Sequence, residues 1–244
     1  MQHSPGPAEA TAFRHDLRIT VDMALLTVVA GAIDAVTFLT LGHVFTALAT
    51  GNLLFLAFAL AGGPGVPALG PAIALAAFVA GAVAGSVLIG RIAAATSWFS
   101  ASLLVEALLL GAGGGLAVWH HGFALAGRPD AGVITLVGVA MGLRGAMALR
   151  AAVPGMPTLL IQMSLLRMIG QVVTNPPGHH PAPLAASDRL TRLRLTASIT
   201  AIFLGGVLGT LLSRWGTGPA LLVVAAGVLV LAAIHPRIGT TTTT

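Results

Sequence analysis

The sequence contains no cysteine, no tyrosine and no lysine. Without Cys there can be no disulfide, thiolate metal site, iron–sulfur cluster or thiol nucleophile, and the redox compartment is left open. Without Lys there is no phosphate-cradling loop ending in Gly-Lys-Ser/Thr, which excludes ATP coupling by this chain. All twelve positive charges are therefore arginine. Charge itself is scarce: only 8% of the 244 residues are charged while 56% are hydrophobic, and the mean hydropathy is +0.96. A soluble domain carries about 25% charged residues, so this composition describes a polytopic, all-α bundle of transmembrane helices whose first partner is the lipid bilayer. The net charge of +5 does not point to nucleic acid, because the arginines scatter around the ends of apolar runs with no basic, aromatic-lined patch.

A crossing helix needs about twenty apolar residues. Eight segments qualify: 20–41, 45–62, 71–91, 98–119, 132–152, 157–173, 195–213 and 219–235. Gly42-His43, Gly62-Gly63-Pro64-Gly65, Gly127-Arg128-Pro129-Asp130 and the polar stretch 174–194 punctuate them. The first run follows a polar N-terminus, 1–19, and lacks the short apolar core and small-residue cleavage site of a secretory signal, so it is expected to stay as an anchor. Trp98 and Trp119 bracket the fourth run at roughly 32 Å, the separation an aromatic belt requires; two tryptophans packed on neighbouring helices are the plainer alternative. The Thr240–Thr244 tail, within 236–244, is low in complexity and is expected to be disordered.

Sliding the chain on itself reveals an internal repeat. At an offset of 111 residues Gly31-Ala32-Ile33-Asp34-Ala35 falls on Gly142-Leu143-Arg144-Gly145-Ala146. After a 13-residue insertion within 174–194, Gly81-Ala82-Val83-Ala84-Gly85 falls on Gly205-Gly206-Val207-Leu208-Gly209. The halves are then 20–119 and 132–235, joined by a linker at 120–131. Gly81/Gly85 and Gly205/Gly209 give each half a small-xxx-small face for close helix packing. Four spans per half would relate the halves by an axis along the membrane normal, whereas three per half, with 45–62 and 157–173 only dipping in, would invert them. The apolar character of Thr46–Ala61 favours four plus four. Either arrangement of arginines places both termini and the basic 174–194 loop in the cytoplasm, which makes the expected location the cytoplasmic (inner) membrane.

Charge inside the apolar runs marks the candidate chemistry, since a carboxylate at the centre of a membrane helix costs about 2.5–3.5 kcal/mol on insertion. Asp34 and Asn52 sit about eight residues either side of the Gly42-His43 turn, a spacing that brings them to one depth. Arg144 lies one residue from the repeat equivalent of Asp34, so an Asp34–Arg144 ion pair across the halves is expected, with Glu106 as the other acid within reach. His43 and Gln162 are secondary candidates for the polar pathway. Structural roles compete at each position: Asn52 as a helix–helix hydrogen bond, Arg144 as a brace between halves. The pairs His120-His121 and His179-His180 read as solvated loop residues, and no metal site, cofactor motif, His-Glu-x-x-His or Gly-x-Ser-x-Gly element is present.

The segments Gly31-Ala32-Ile33-Asp34-Ala35, Gly42-His43-Val44-Phe45-Thr46-Ala47 and Thr50-Gly51-Asn52 resemble the G-x-x-D-A, G-x-V-F-x-A and T-G-N elements of the YoaK-like membrane proteins, a family of unknown function also called DUF1275. A further likeness covers Met141-Gly142-Leu143-Arg144-Gly145-Ala146 with Arg150, where Arg144-Gly145 stand in place of the family's Gln-Asn. The resemblance runs from about residue 20 to 235 and implies a membrane fold without naming a reaction.

Repeated halves, Gly/Pro-interrupted helices and intramembrane charge form the pattern of a small-solute transporter or channel, with Asp34, Asn52 and Arg144 lining a midplane site and an unidentified small solute as substrate. The rival is a membrane interaction or sensory protein whose basic 174–194 loop docks a partner or anionic lipid, as a homo-oligomer or with another membrane protein. An enzyme is not expected, for want of any paired acid–base or metal constellation.

Overall fold

A computed structural model describes residues 7–92, 98–121, 130–151, 169 and 186–234. Among them are seven helices and no strand: α1 Pro7–Thr40, α2 Ala49–Leu60, α3 Leu69–Ile92, α4 Trp98–His121, α5 Ala131–Ala151, α6 Ala186–Ser213 and α7 Thr217–Ile234. Six carry stretches long and apolar enough to cross a membrane: 16–40, 69–92, 98–119, 131–151, 190–213 and 217–234. The run at 157–173 lies outside the described residues.

The run at 45–62 does not fold as a full crossing. Its helix, α2, has 12 residues, about 18 Å of rise against a hydrocarbon core of about 30 Å. The reason is local. α1 is stopped by Gly42 at φ 83° and His43 at φ 63°, with His43 N–H donating to Phe38 O at 3.1 Å in the manner of a Schellman cap. α2 is stopped the same way by Gly62 at φ 79°, Gly63 N–H donating to Phe58 O at 2.9 Å. Between Leu41 and Leu48 the chain is irregular, and this stretch consumes residues a crossing helix would need. The consequence for direction is visible at Gly70, where an added Cβ would lie 2.6 Å from Val44 Cγ2. The start of α3 thus abuts the residues that leave α1, and the chain turns back within one end of the bundle.

The close helix contacts follow the glycines. Side chains added at Gly81 and Gly85 of α3 would strike Val139 and Leu143 of α5, and side chains at Gly205 and Gly209 of α6 would strike Val28 and Ala32 of α1. Gly142 faces Phe78 and Ala82, while Gly31 faces Ile202 and Gly206. Each α5 residue here stands 111 positions after the α1 residue in the matching contact, and each α6 residue 124 after the α3 residue, the two offsets expected from the sequence. The rising numbers on both sides make α1 and α6 run parallel, as do α3 and α5. α4 instead meets α7 through Gly114 against Leu222 and Gly218 against Val118, which makes that pair antiparallel.

The core fills the space these contacts enclose. Met23, Leu26 and Ile33 of α1, Leu103 and Leu110 of α4, Ile134, Met141 and Met147 of α5, and Leu221 of α7 are all essentially inaccessible. α5 is the most enclosed crossing, buried without a break from Ala140 to Met147. Trp98 is also inside, packed edge-on against Phe99 at 5.7 Å with the Arg150 guanidinium 5.6 Å above its ring. The belt reading therefore fails for Trp98, which spends its amphipathic ring on α5, and suits only Trp119, which is 70% exposed.

Candidate functional site

Asp34 sits less than two turns before the end of α1, and its Oδ1 accepts hydrogen bonds from Thr46 N–H at 2.8 Å and Ala47 N–H at 2.7 Å. Those amides belong to the irregular chain just ahead of α2, whose N-cap, Leu48, brings no side-chain cap of its own. A carboxylate from a neighbouring helix thus supplies the negative charge that a helix start attracts. Asn52, in the first turns of α2 and 1% exposed, brackets the same stretch. Phe45 N–H donates to its Oδ1 at 3.1 Å, and its Nδ2 donates to Phe45 O. Both polar residues hold one object, the backbone from Phe45 to Ala47. In a lipid environment these amides have no water to turn to, so side-chain partners are what permits non-helical chain at this position.

Apolar contacts finish the loop. Phe45 stacks on Phe38 of α1 at 4.7 Å and lies parallel to Phe55 of α2 at 6.1 Å. His43 meets Phe38 edge-on at 4.9 Å and is exposed, so it belongs to the turn. A groove of about 500 Å³ opens beside this cluster, lined by Ala35, Phe38, Phe45 and, from α6, Phe203 and Val207. Its walls are apolar and offer a polar solute nothing.

A second polar centre lies deeper. Arg144 of α5 and Glu106 of α4 are both 0% exposed, and Arg144 Nη2 pairs with Glu106 Oε1. Arg144 Nη1 donates to the carbonyl of Leu26 on α1, so one guanidinium ties three helices together. The expected Asp34–Arg144 pair is not formed. Arg144 reaches α1 at the level of Leu26, eight residues and about 12 Å of helical rise from Asp34, and Glu106 stands closer. Glu106 Oε2, Arg144 Nε and, at the loop, Thr46 Oγ1 are buried with no hydrogen-bond partner among the described residues.

Sequence reading places Asp34, Asn52 and Arg144 at one site, whereas the structure brings Asp34 and Asn52 together at the turn and pairs Arg144 with Glu106 elsewhere. Gln162 and His179-His180 lie outside the described residues. Sequence reading missed Arg194, 8% exposed, whose Nε donates to Thr20 Oγ1 at 3.0 Å and whose Nη2 lies 3.4 Å from Asp16 Oδ1. The 174–194 stretch is therefore not a loop to its end, since α6 begins at Ala186 and Arg194 is spent on α1. The four-residue spacing of Asp16 and Thr20 on one helix face was the available signal. Asp22, 5% exposed on α1, was also missed, because it stands at the edge of the first apolar run.

A family model described as "Protein of unknown function (DUF1275)" matches residues 23–235. The UPF0700 transmembrane protein YoaK of Bacillus subtilis (strain 168) is 29% identical over 166 residues, covering 67% of this chain and 69% of that relative. No solved structure matches. Because the matched region runs from the apolar start of α1 through α7 and carries both polar centres, the chain belongs to the DUF1275 family of membrane proteins.

Proposed function

We propose that this protein passes a small solute across the cytoplasmic membrane, without covalent chemistry, by alternating access between two inversely related halves of three crossings each. One observation carries the reading: the α1–α6 and α5–α3 contacts repeat in the same register, with each half lending its first helix to the other half's second. An interlocked pair of this kind allows one arrangement to be exchanged for its mirror at little cost in packing, which is the principle of carriers built from inverted repeats. The turning back of α2 supports inversion, because it leaves α1 and α3 antiparallel and gives the first half an odd number of crossings. The arginines agree. With both termini cytoplasmic, only Arg128 and Arg214 fall outside, while Arg91 and Arg150 join the basic cytoplasmic face.

In this reading Asp34 and Asn52 shape the short, non-crossing helix, and the polar centre on the solute's path is Arg144 with Glu106. An intramembrane ion pair between halves is the usual mark of such a path. Uptake and efflux screens comparing a deletion strain, its complemented parent and an Arg144→Gln complement test it. A solute-dependent difference is expected for the parent and lost in the variant; identical handling of every solute by all three strains would sink the reading.

A further inference from the structure

Resting on the transport reading, the geometry points to a solute class: we propose that the Glu106–Arg144 centre takes a small, electrically neutral molecule that carries both a hydrogen-bond donor and an acceptor, of the amide or polyol kind. The pair itself is neutral, and its bonds leave donors over on the arginine and an acceptor over on the glutamate. Arg144 gives one N–H of Nη1 to Leu26 O and one of Nη2 to Glu106 Oε1, while Nε has no partner among the described residues; Glu106 keeps Oε2 as an unused acceptor. Both side chains are fully buried, so water from outside the bundle does not reach these atoms in this conformation. The neighbouring hydroxyls do not serve them either. Thr27, beside Leu26, donates to Met23 O at 2.8 Å, and Ser102, one turn before Glu106, donates to Trp98 O at 2.8 Å.

A buried donor and a buried acceptor left open on the two sides of one ion pair call for a third partner that supplies the complement of each. The pair has no net charge, so neither a cation nor an anion entering here would have its loss of hydration offset at low dielectric. A neutral solute avoids that penalty. Neither side chain has any exposed surface, the condition of a polar centre in a carrier's occluded state.

The test uses the whole purified chain in liposomes, with shrinkage and swelling followed by stopped-flow light scattering under acetamide or glycerol gradients, and with potassium, methylammonium and acetate movement followed by potential- and pH-sensitive dyes. The parent should equilibrate acetamide or glycerol several-fold faster than protein-free liposomes and move none of the ions faster. The double variant Glu106→Met with Arg144→Met should lose that advantage, and Arg144→Lys, which keeps the charge and removes Nε, should lose most of it. Ion movement without neutral-solute movement would overturn this inference and leave the transport reading standing. Movement of neither would overturn both, and neutral movement undiminished in a folded double variant or in Arg144→Lys would remove the solute from this site.

Discussion

At the scale of single residues, burial divides the polar groups into two kinds of work. Arg144 and Glu106 have no exposure, and removing one partner of such a pair strands a charge at a cost of about 3–5 kcal/mol, whereas replacing both with apolar groups is nearly neutral. Glu106→Gln and Arg144→Gln are each expected to lower the melting temperature in detergent sharply, and Glu106→Met with Arg144→Met to restore most of it. The same cycle between Asp34 and Arg144 should be additive, because Asp34 spends its carboxylate on Thr46 and Ala47. Asp34→Ala removes two charge-assisted hydrogen bonds, each worth about 1.5–3 kcal/mol. It should free the 45–48 segment, read as faster thiol labelling of a cysteine placed at exposed Leu48, while Asp34→Asn, which keeps an acceptor oxygen, should change the rate less.

At the scale of elements, the glycines decide how closely helices lie. Gly81 and Gly205 hold α3 on α5 and α6 on α1 with no room for a side chain, whereas Gly90 and Gly227 have open space where a Cβ would sit. Gly81→Val and Gly205→Val are expected to cost about 1–3 kcal/mol or more through overpacking, seen as lost monodisperse yield and lower thermal stability. Gly90→Val and Gly227→Val should be tolerated. Equal damage at all four positions would mean that backbone freedom, not helix approach, is what these residues provide. The short α2 follows the same logic at its ends: Gly42 and Gly62 adopt positive φ, and those two turns set its length more firmly than its hydrophobicity does.

At the scale of the whole molecule, the direction of each crossing is the testable quantity, and the absence of cysteine makes it accessible. With inverted halves and cytoplasmic termini, Leu69→Cys is expected to react with an impermeant thiol reagent in intact cells and Arg91→Cys only after permeabilisation; the opposite pattern would restore a full crossing at 45–62. Much of this architecture was legible in the chain. Composition alone determined a helical membrane protein, since 8% charge cannot cover a soluble surface, and the small-xxx-small spacings named the residues, Gly81, Gly85, Gly205 and Gly209, that meet a neighbouring backbone. The pairing of Asp34 with Asn52 around one turn was also readable, because both lie within a short stretch of chain. Tertiary structure alone decided what they bind, namely backbone amides, since hydropathy does not register an irregular segment whose donors are satisfied by side chains. It also decided that Arg144 takes Glu106 in preference to Asp34: partner choice among buried charges depends on the depth at which helices cross, and that depth is set by packing contacts far apart in sequence.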